Sequence, residues 1–461
     1  MKVLLINPPS ANEHVPENPP LGLLYLASSL LEKHDVWVLD FDALKYDWKQ
    51  IEDRLVKEKP DFIGVTCTTY SYYNALKICE VAKKKLKKTK LIIGGPHVSA
   101  YPERCLQKSN ADFVVVGEGE EVVQEVVNGE TKEKIIYGNP VNVNKSPLPS
   151  RDLLEPDITS YLGNMPRHFH PETVMLWSRG CPHNCLFCSN VIFKKQPIRF
   201  RSPENIVKEI KELADYGIKE IFVYDDELIG AHNLQNKWLS EVCNLIATNG
   251  LNKITFKCQG RCSRFVNLET LQIMKQAGFK TIMWGCESGS DKVLKAIRKG
   301  ATVEEIKQSI ALCKQAGIEA WMFLMIGNYR EKTKDIEKTI RLVKECKPDH
   351  IQATYATPYP SDFEKICIKN KWIIEQDTTK WNTNKPVIKT GWLSQEQLVN
   401  YRKKLLDAHK FRLEKDIINT MITTKENNNQ YNRHLRLLYK TYKNYGLIET
   451  IKIVNNYLRM R

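Results

Sequence analysis

Cys181, Cys185 and Cys188 stand in the run Trp-Ser-Arg-Gly-Cys-Pro-His-Asn-Cys-Leu-Phe-Cys, a C-x3-C-x2-C spacing confined to eight residues. Three thiolates so close together can each hold one iron of a 4Fe-4S cube. No fourth cysteine completes the local set, so one iron is left for a small chelating ligand. Other chemistries fit this spacing less well. A disulfide framework wants an even set of partners and an oxidising compartment. A structural zinc site wants a fourth Cys or His, for which His183 inside the loop is the only local candidate.

Composition sets the frame around this loop. A chain of 461 residues has room for two or three domains, and 42% apolar residues is ordinary for a globular protein. The first residues read as a strand running into Pro8-Pro9, not as a signal peptide. No run of about 18 apolar residues argues for a transmembrane helix. Thirteen cysteines without a secretory signal imply a reducing, cytoplasmic setting. The net charge of +15 is uneven: from Tyr401 to Arg461 there are 14 Lys and Arg against 5 Asp and Glu. Such a tail suits nucleic acid, an acidic substrate or an anionic lipid surface, which would make the protein peripheral to a membrane. A solvated helical face is the plainer reading.

Residues 1–145 alternate short apolar strands with helical patterns. Strands are expected over 2–6, 36–39, 61–65, 91–93 and 113–116, with helices over 21–31 and 72–86. This alternation predicts an α/β, doubly wound parallel sheet, whose ligands sit beyond the strand carboxyl ends. The loops there are distinctive: Thr66-Cys67-Thr68-Thr69-Tyr70, Gly94-Gly95-Pro96-His97 and Gly117-Glu118-Gly119-Glu120. Neither Gly-rich loop matches a nucleotide-binding fingerprint. Pro147, Pro149, Arg151 and Asp152 mark a linker.

Residues 165–375 then repeat strand and helix, with strands over 173–177, 220–224, 255–258, 281–284, 320–326 and 350–355. The pattern predicts a partial (β/α)6 TIM-like barrel with its chemistry at the strand C-terminal ends. The cysteine loop follows the first of these strands. Asp225-Asp226-Glu227, Gly260-Arg261, Gly285-Cys286-Glu287-Ser288-Gly289-Ser290 and Gly327-Asn328-Tyr329-Arg330-Glu331 fall at the ends of the next four. Cys258 and Cys262 repeat a C-x3-C spacing without further partners and read, with Cys286, as structural thiols. Residues 376–461 form a helical C-terminal region, with helices over 395–414, 431–442 and 447–458. Its Tyr431, Tyr439, Tyr442, Tyr445 and Tyr457 either cover the barrel mouth or pack on its exterior.

The cysteine loop, with Phe187 before its third cysteine, resembles the signature of the radical SAM enzymes. The Gly-Cys-Glu-Ser-Gly-Ser run resembles that family's Gly-x-Glu-Ser-Gly-Ser. The order of loops in residues 1–145 resembles the cobalamin-binding domain found ahead of many radical SAM cores. This resemblance implies a 4Fe-4S cluster on Cys181, Cys185 and Cys188, together with S-adenosyl-L-methionine (SAM) and cobalamin. It implies that Glu287 positions SAM and that Gly327 lies against its adenine. Arg261, whose guanidinium fork matches a carboxylate, is a candidate partner of the SAM carboxylate, and equally of a surface ion pair. Asp225 is a candidate acceptor for the SAM ammonium or a substrate, and equally a helix cap. Gly94 and Gly95 would flank the cobalamin nucleotide tail, Thr68 would face the lower side of the corrin, and Gly117 would line the same site. His14, preceded by Glu13, lacks the Asp-x-His-x-x-Gly context of a cobalt ligand.

The implied reaction is methylation of an unactivated carbon of a small-molecule, lipid or natural-product substrate, through a 5′-deoxyadenosyl radical and methylcobalamin. A reductant such as flavodoxin or ferredoxin is the implied partner. The alternatives are radical oxidation, cyclisation or rearrangement without methyl transfer, methylthiolation of a nucleic acid, and a cobalamin or redox sensor.

Overall fold

The computed structural model describes residues 1–10, 16–163 and 167–423, with side chains to residue 409. His14 and the two expected tail helices over 431–442 and 447–458 lie outside the described residues.

The first sheet is built from β1 (Lys2–Asn7), β2 (Asp35–Asp40), β3 (Phe62–Thr66), β4 (Lys90–Gly94), β5 (Phe113–Gly117), β6 (Ile135–Gly138) and β7 (Leu154–Glu155). All seven are parallel, in the order β6-β5-β4-β3-β1-β2-β7. Successive side chains on a strand point to opposite faces, and β1 shows the consequence. Leu4 and Ile6 enter a core beneath helices Trp48–Glu58 and Tyr72–Lys85. Val3 and Leu5 enter a second core with helix Leu21–Leu30. That second core runs without a break into the barrel, through Tyr161, Val174 and Trp177. The doubly wound sheet is therefore as expected, and its far face is shared with the other half of the chain.

The expected linker is an integral part of this junction. Leu154–Glu155 adds β7 to the sheet, pairing with Val38 and Leu39. Arg151 is buried; it donates to the Val174 carbonyl at 2.8 Å and pairs with Glu209 at 2.7 Å. Tyr161 donates to the buried Asp40 carboxylate at 2.7 Å. A two-residue strand leaves no periodicity in sequence, which is why this segment reads as a linker there.

The second sheet is a parallel half-barrel. Its members are β8 (Glu172–Met175), then β11 (Glu220–Val223), β12 (Thr255–Arg261), β13 (Phe279–Glu287), β14 (Glu319–Ile326) and β15 (His350–Tyr355). Between β8 and β11 a small antiparallel ribbon, β9 (Ser178–Arg179) with β10 (Arg199–Phe200), frames the cysteine loop. Helices Pro203–Asp215, Asn233–Thr248, Leu268–Gln276, Asp291–Ala296, Val303–Gln315 and Thr333–Cys346 alternate with the strands. Helix Gln395–Thr423 packs against β15 and helix Thr333–Cys346. No helix among the described residues is long and apolar enough to cross a membrane.

Candidate active site

The cysteine loop leaves β8 and is closed at its base by the β9–β10 ribbon. Gly180 has φ 112°, and a Cβ there would stand 2.3 Å from the Pro197 carbonyl oxygen. Only glycine lets the two limbs meet. The loop is then tied from several sides. Cys181 N–H donates to the Phe193 carbonyl at 3.0 Å, and Leu186 N–H to that of Ile297 at 2.8 Å. Lys194 Nζ donates to the Cys185 carbonyl at 2.8 Å.

The acidic run after β11 supplies further ties. Asp225 is fully buried and accepts from Trp177 N–H at 2.7 Å and Ser178 Oγ at 2.5 Å. Burial pushes its pKa up to about 7. Asp226 accepts from the Asn190 side-chain amide. Glu227 lies 3.0 Å from His183 Nε2 and 3.9 Å from Cys181 Sγ. Asp225 also lines the cavity that the three cysteines share. Its oxygens hold the approach to the cysteine loop, and it does not cap the following helix, whose cap is His232. The partners Trp177 and Ser178 come within reach only because β8 and β11 are neighbours in the sheet.

A cavity of about 550 Å³ opens at the C-terminal ends of the barrel strands and is lined by all three cysteines. Arg261, at the end of β12, brings Nη1 to 4.0 Å from Cys185 Sγ. Glu287 enters the cavity from a bulge: the register with β14 slips between Gly285 and Glu287, and Glu287 takes φ 62°. A bulge re-aims a side chain in this way, and positive φ at a non-glycine residue marks a position held by its surroundings. Lys299 Nζ pairs with Glu287 Oε1 at 2.9 Å. Burial alone would lower the Lys299 pKa, but the Glu287 carboxylate reverses this and holds it above its ordinary value. Sequence reasoning missed Lys299; its buried position behind the Gly-Cys-Glu-Ser-Gly-Ser run depends on how helix Asp291–Ala296 returns to the strand ends.

Burial pushes the Cys181 thiol up to about 12 and raises that of Cys188. These sulfurs hold their protons until a cation displaces them. No three His, Cys, Asp or Glu side chains among the described residues converge tightly enough to hold a single ion. Three thiols lining one cavity suit the corners of a cube, each binding its own iron. The residues therefore fit an iron–sulfur cluster, with the charged side chains of Arg261, Glu287 and Lys299 beside it.

Gly327 stands apart from this cavity. It is buried under Leu398, whose Cδ2 would lie 3.2 Å from an added Cβ. Its N–H donates to Glu331 Oε2 at 2.7 Å, so the Gly-x-x-x-Glu segment closes on itself. Leu398 belongs to helix Gln395–Thr423.

In the first half of the chain, Gly95 has φ 99° and a Cβ there would be 2.8 Å from Thr66 Oγ1 and 2.9 Å from Cys67 N. It lets the loops after β3 and β4 pack together, and His97 N–H donates to the Cys67 carbonyl at 3.0 Å. Gly94 beside it makes only ordinary contact with Val115. Thr68 is exposed at the end of β3, sharing a hydrogen bond with Ser71 at 3.0 Å. Gly117 packs closely on Gly138 of β6. Beyond β4 the first half of the chain also touches the second, where Tyr101 donates to Glu364 of helix Asp362–Lys369. The Tyr359 hydroxyl, which lines the cavity, is pushed up to about 12 by burial, with Tyr70 adding to the shift.

A doubly wound domain facing a half-barrel with a three-cysteine loop defines a cobalamin-binding radical SAM enzyme. Comparisons with known proteins agree. Residues 12–127 match the B12 binding domain and residues 175–343 the Radical SAM superfamily. The chain is 33% identical to an uncharacterized methyltransferase of Pyrococcus horikoshii, over 88% of this chain and 91% of that protein. It is 26% identical to the anaerobic magnesium-protoporphyrin IX monomethyl ester cyclase of Rubrivivax gelatinosus, over 87% of this chain and 77% of that one. The fold resembles that of the cobalamin-dependent SAM radical enzyme OxsB, with TM-score 0.70 and 16% identity, covering 99% of this chain and 75% of that chain. The chain belongs to the cobalamin-dependent radical SAM methyltransferase family.

Proposed function

We propose that this enzyme methylates an unactivated carbon of a small-molecule substrate bound in the barrel-mouth cavity. The observation that carries this is one cavity lined by Cys181, Cys185, Cys188, Arg261, Glu287 and Lys299, whose wall residue Tyr359 interacts with Tyr70 of the loop after β3. When bound, the cluster, SAM and cobalamin supply the electron, the radical and the methyl group. The chain's own part is to bind and orient. Cys181, Cys185 and Cys188 would hold iron. Glu287, presented by its bulge, would accept from the SAM ammonium. Arg261 and the free donors of Lys299 would face its carboxylate. Thr68, Gly94, Gly95 and Gly117 would border the cobalamin.

The walls contributed by β14 and β15 differ in kind from the charged floor. Phe323, Gln352, Thr354 and Tyr359 line that side. An uncharged substrate with hydrogen-bonding groups suits such a surface better than a phosphorylated or carboxylated one. A low-potential carrier such as flavodoxin or ferredoxin would deliver the electron. A peripheral contact with an anionic surface would fall to the basic tail.

The test is anaerobic incubation of reconstituted enzyme with methyl-labelled SAM and candidate metabolite extracts. Label appearing in a carbon–methyl product supports the reading. SAM cleavage with loss of substrate hydrogen and no label in product supports ring oxidation instead, a second reading favoured by the likeness to the Rubrivivax gelatinosus cyclase.

A further inference from the structure

The β9–β10 ribbon that closes the cysteine loop contains an electrostatic problem. Arg179 and Arg199 are directly opposite each other in its register. Like charges at opposed positions destabilise a strand pair, and this pair is only two residues long on each side. The countercharge comes from the other half of the molecule. Glu118 Oε2 lies 3.0 Å from Arg179 Nη1, and Glu118 Oε1 lies 2.5 Å from Arg199 Nη2. Glu120 Oε1 lies 2.5 Å from Arg179 Nη1. Arg199 Nη1 also donates to the Val141 carbonyl at 2.7 Å. Arg179 rests over the Tyr25 ring, 4.5 Å from its centroid. Glu118, Glu120 and Arg179 are all buried.

Placement gives this cluster its meaning. Glu118 and Glu120 follow β5, on the turn that begins with Gly117 at the ligand end of the first sheet. Arg179 is separated from Cys181 by Gly180 alone. Once either carboxylate is lost, two guanidinium groups face each other in a buried site without full compensation, and the limbs of the cysteine loop lose their reason to close.

We infer that Glu118 and Glu120 are positioning residues for the iron–sulfur cluster, acting across the domain boundary through Arg179 and Arg199. The inference rests on the reading of Cys181, Cys185 and Cys188 as cluster ligands. It makes the cobalamin-domain turn part of the frame that sets cluster geometry.

The test uses the full chain, reconstituted anaerobically, as parent, Glu118→Gln, Glu120→Gln and the double variant. Glu121→Gln, at an exposed neighbour, is the control. The readouts are iron content, the electron paramagnetic resonance spectrum of the reduced cluster, and SAM affinity. The double variant is expected to bind SAM about tenfold more weakly and to show shifted g-values. Glu120→Gln, which leaves Glu118 bridging both arginines, should show a smaller shift with parent-like iron content. Arg179→Lys should restore part of what Arg179→Gln loses. If the double variant folds too poorly to load, Glu120→Gln and Arg179→Lys carry the test. Loaded variants with the parent spectrum and parent SAM affinity would overturn the inference while leaving the cluster assignment intact. A parent chain that takes up no cluster would overturn both.

Discussion

The two ends of the barrel both carry charge and use it in opposite ways. At the N-terminal end, Lys257 is fully buried, 2.7 Å from Glu172 and 3.5 Å from Glu220. Glu220 also accepts from the backbone of His168 and Phe169, and Glu319 meets His350 at 3.3 Å. These groups answer one another, with Lys257, Glu172 and Glu220 buried together. At the C-terminal end, Lys299, Glu287 and Arg261 stand around an open space beside the cysteines. Charge closed upon itself stabilises; charge left facing a cavity recognises. This is the division that barrel enzymes follow between their two faces.

The largest effect that would sharpen this contrast comes from replacing Cys181, Cys185 and Cys188 together by Ala. Bound iron should fall from about four per chain to near none, and SAM cleavage should vanish while the fold persists. A triple variant that still cleaves SAM would sink the cluster assignment.

At the opposite end, Lys257→Met leaves two buried carboxylates without their cation. A loss of about 3–5 kcal/mol of stability is expected, measured by urea unfolding. SAM affinity of the folded fraction should be unchanged. A change in affinity without a change in stability would reverse the contrast.

Glu331 supplies an intermediate effect that depends on pH. Burial raises its folded-state pKa from 4.5 to about 7. Below about 4.5 the carboxyl is neutral in both states, and above about 7 the folded state carries a buried charge. Stability should therefore fall as pH rises through that window, by about 3 kcal/mol at most. Glu331→Gln should flatten the slope. An unchanged slope would mean that the buried carboxyl does not titrate differently on unfolding.

The smallest expected change is at Glu287. A charge-assisted hydrogen bond is worth roughly 1.5–3 kcal/mol, so Glu287→Ala should weaken SAM binding about ten- to a hundredfold by calorimetry. Iron content should hold. Unchanged affinity would reduce Glu287 to a structural partner of Lys299.

Much of this was legible in the chain. The six barrel strands and the helices between them follow from apolar periodicity, and the cysteine spacing marks the reactive end. What escaped is instructive. Helix Trp48–Glu58 begins with an Asp47–Gln50 capping box, a local signal that sequence reading passed over. The two-residue strands β7, β9 and β10 carry no pattern at all. The ties of Asp225 to Trp177 and Ser178 could not be read locally, because these partners are more than 40 residues away. Nothing in the segment around Gly327 announces that Leu398 packs over it. Lys299 and the Glu118–Arg179 pair were invisible for the same reason: each gains its role only when distant elements meet.

The unbroken core that runs from Val3 and Leu5 to Trp177 has a consequence for how such enzymes diversify. The two halves are not beads on a string that recombination could trade freely between relatives. A transplanted half would arrive with a mismatched apolar face and would need its whole partner surface rewritten. New specificities are therefore expected to arise by changing the rim of the cavity, residue by residue, while the spacing between the two reactive centres stays frozen.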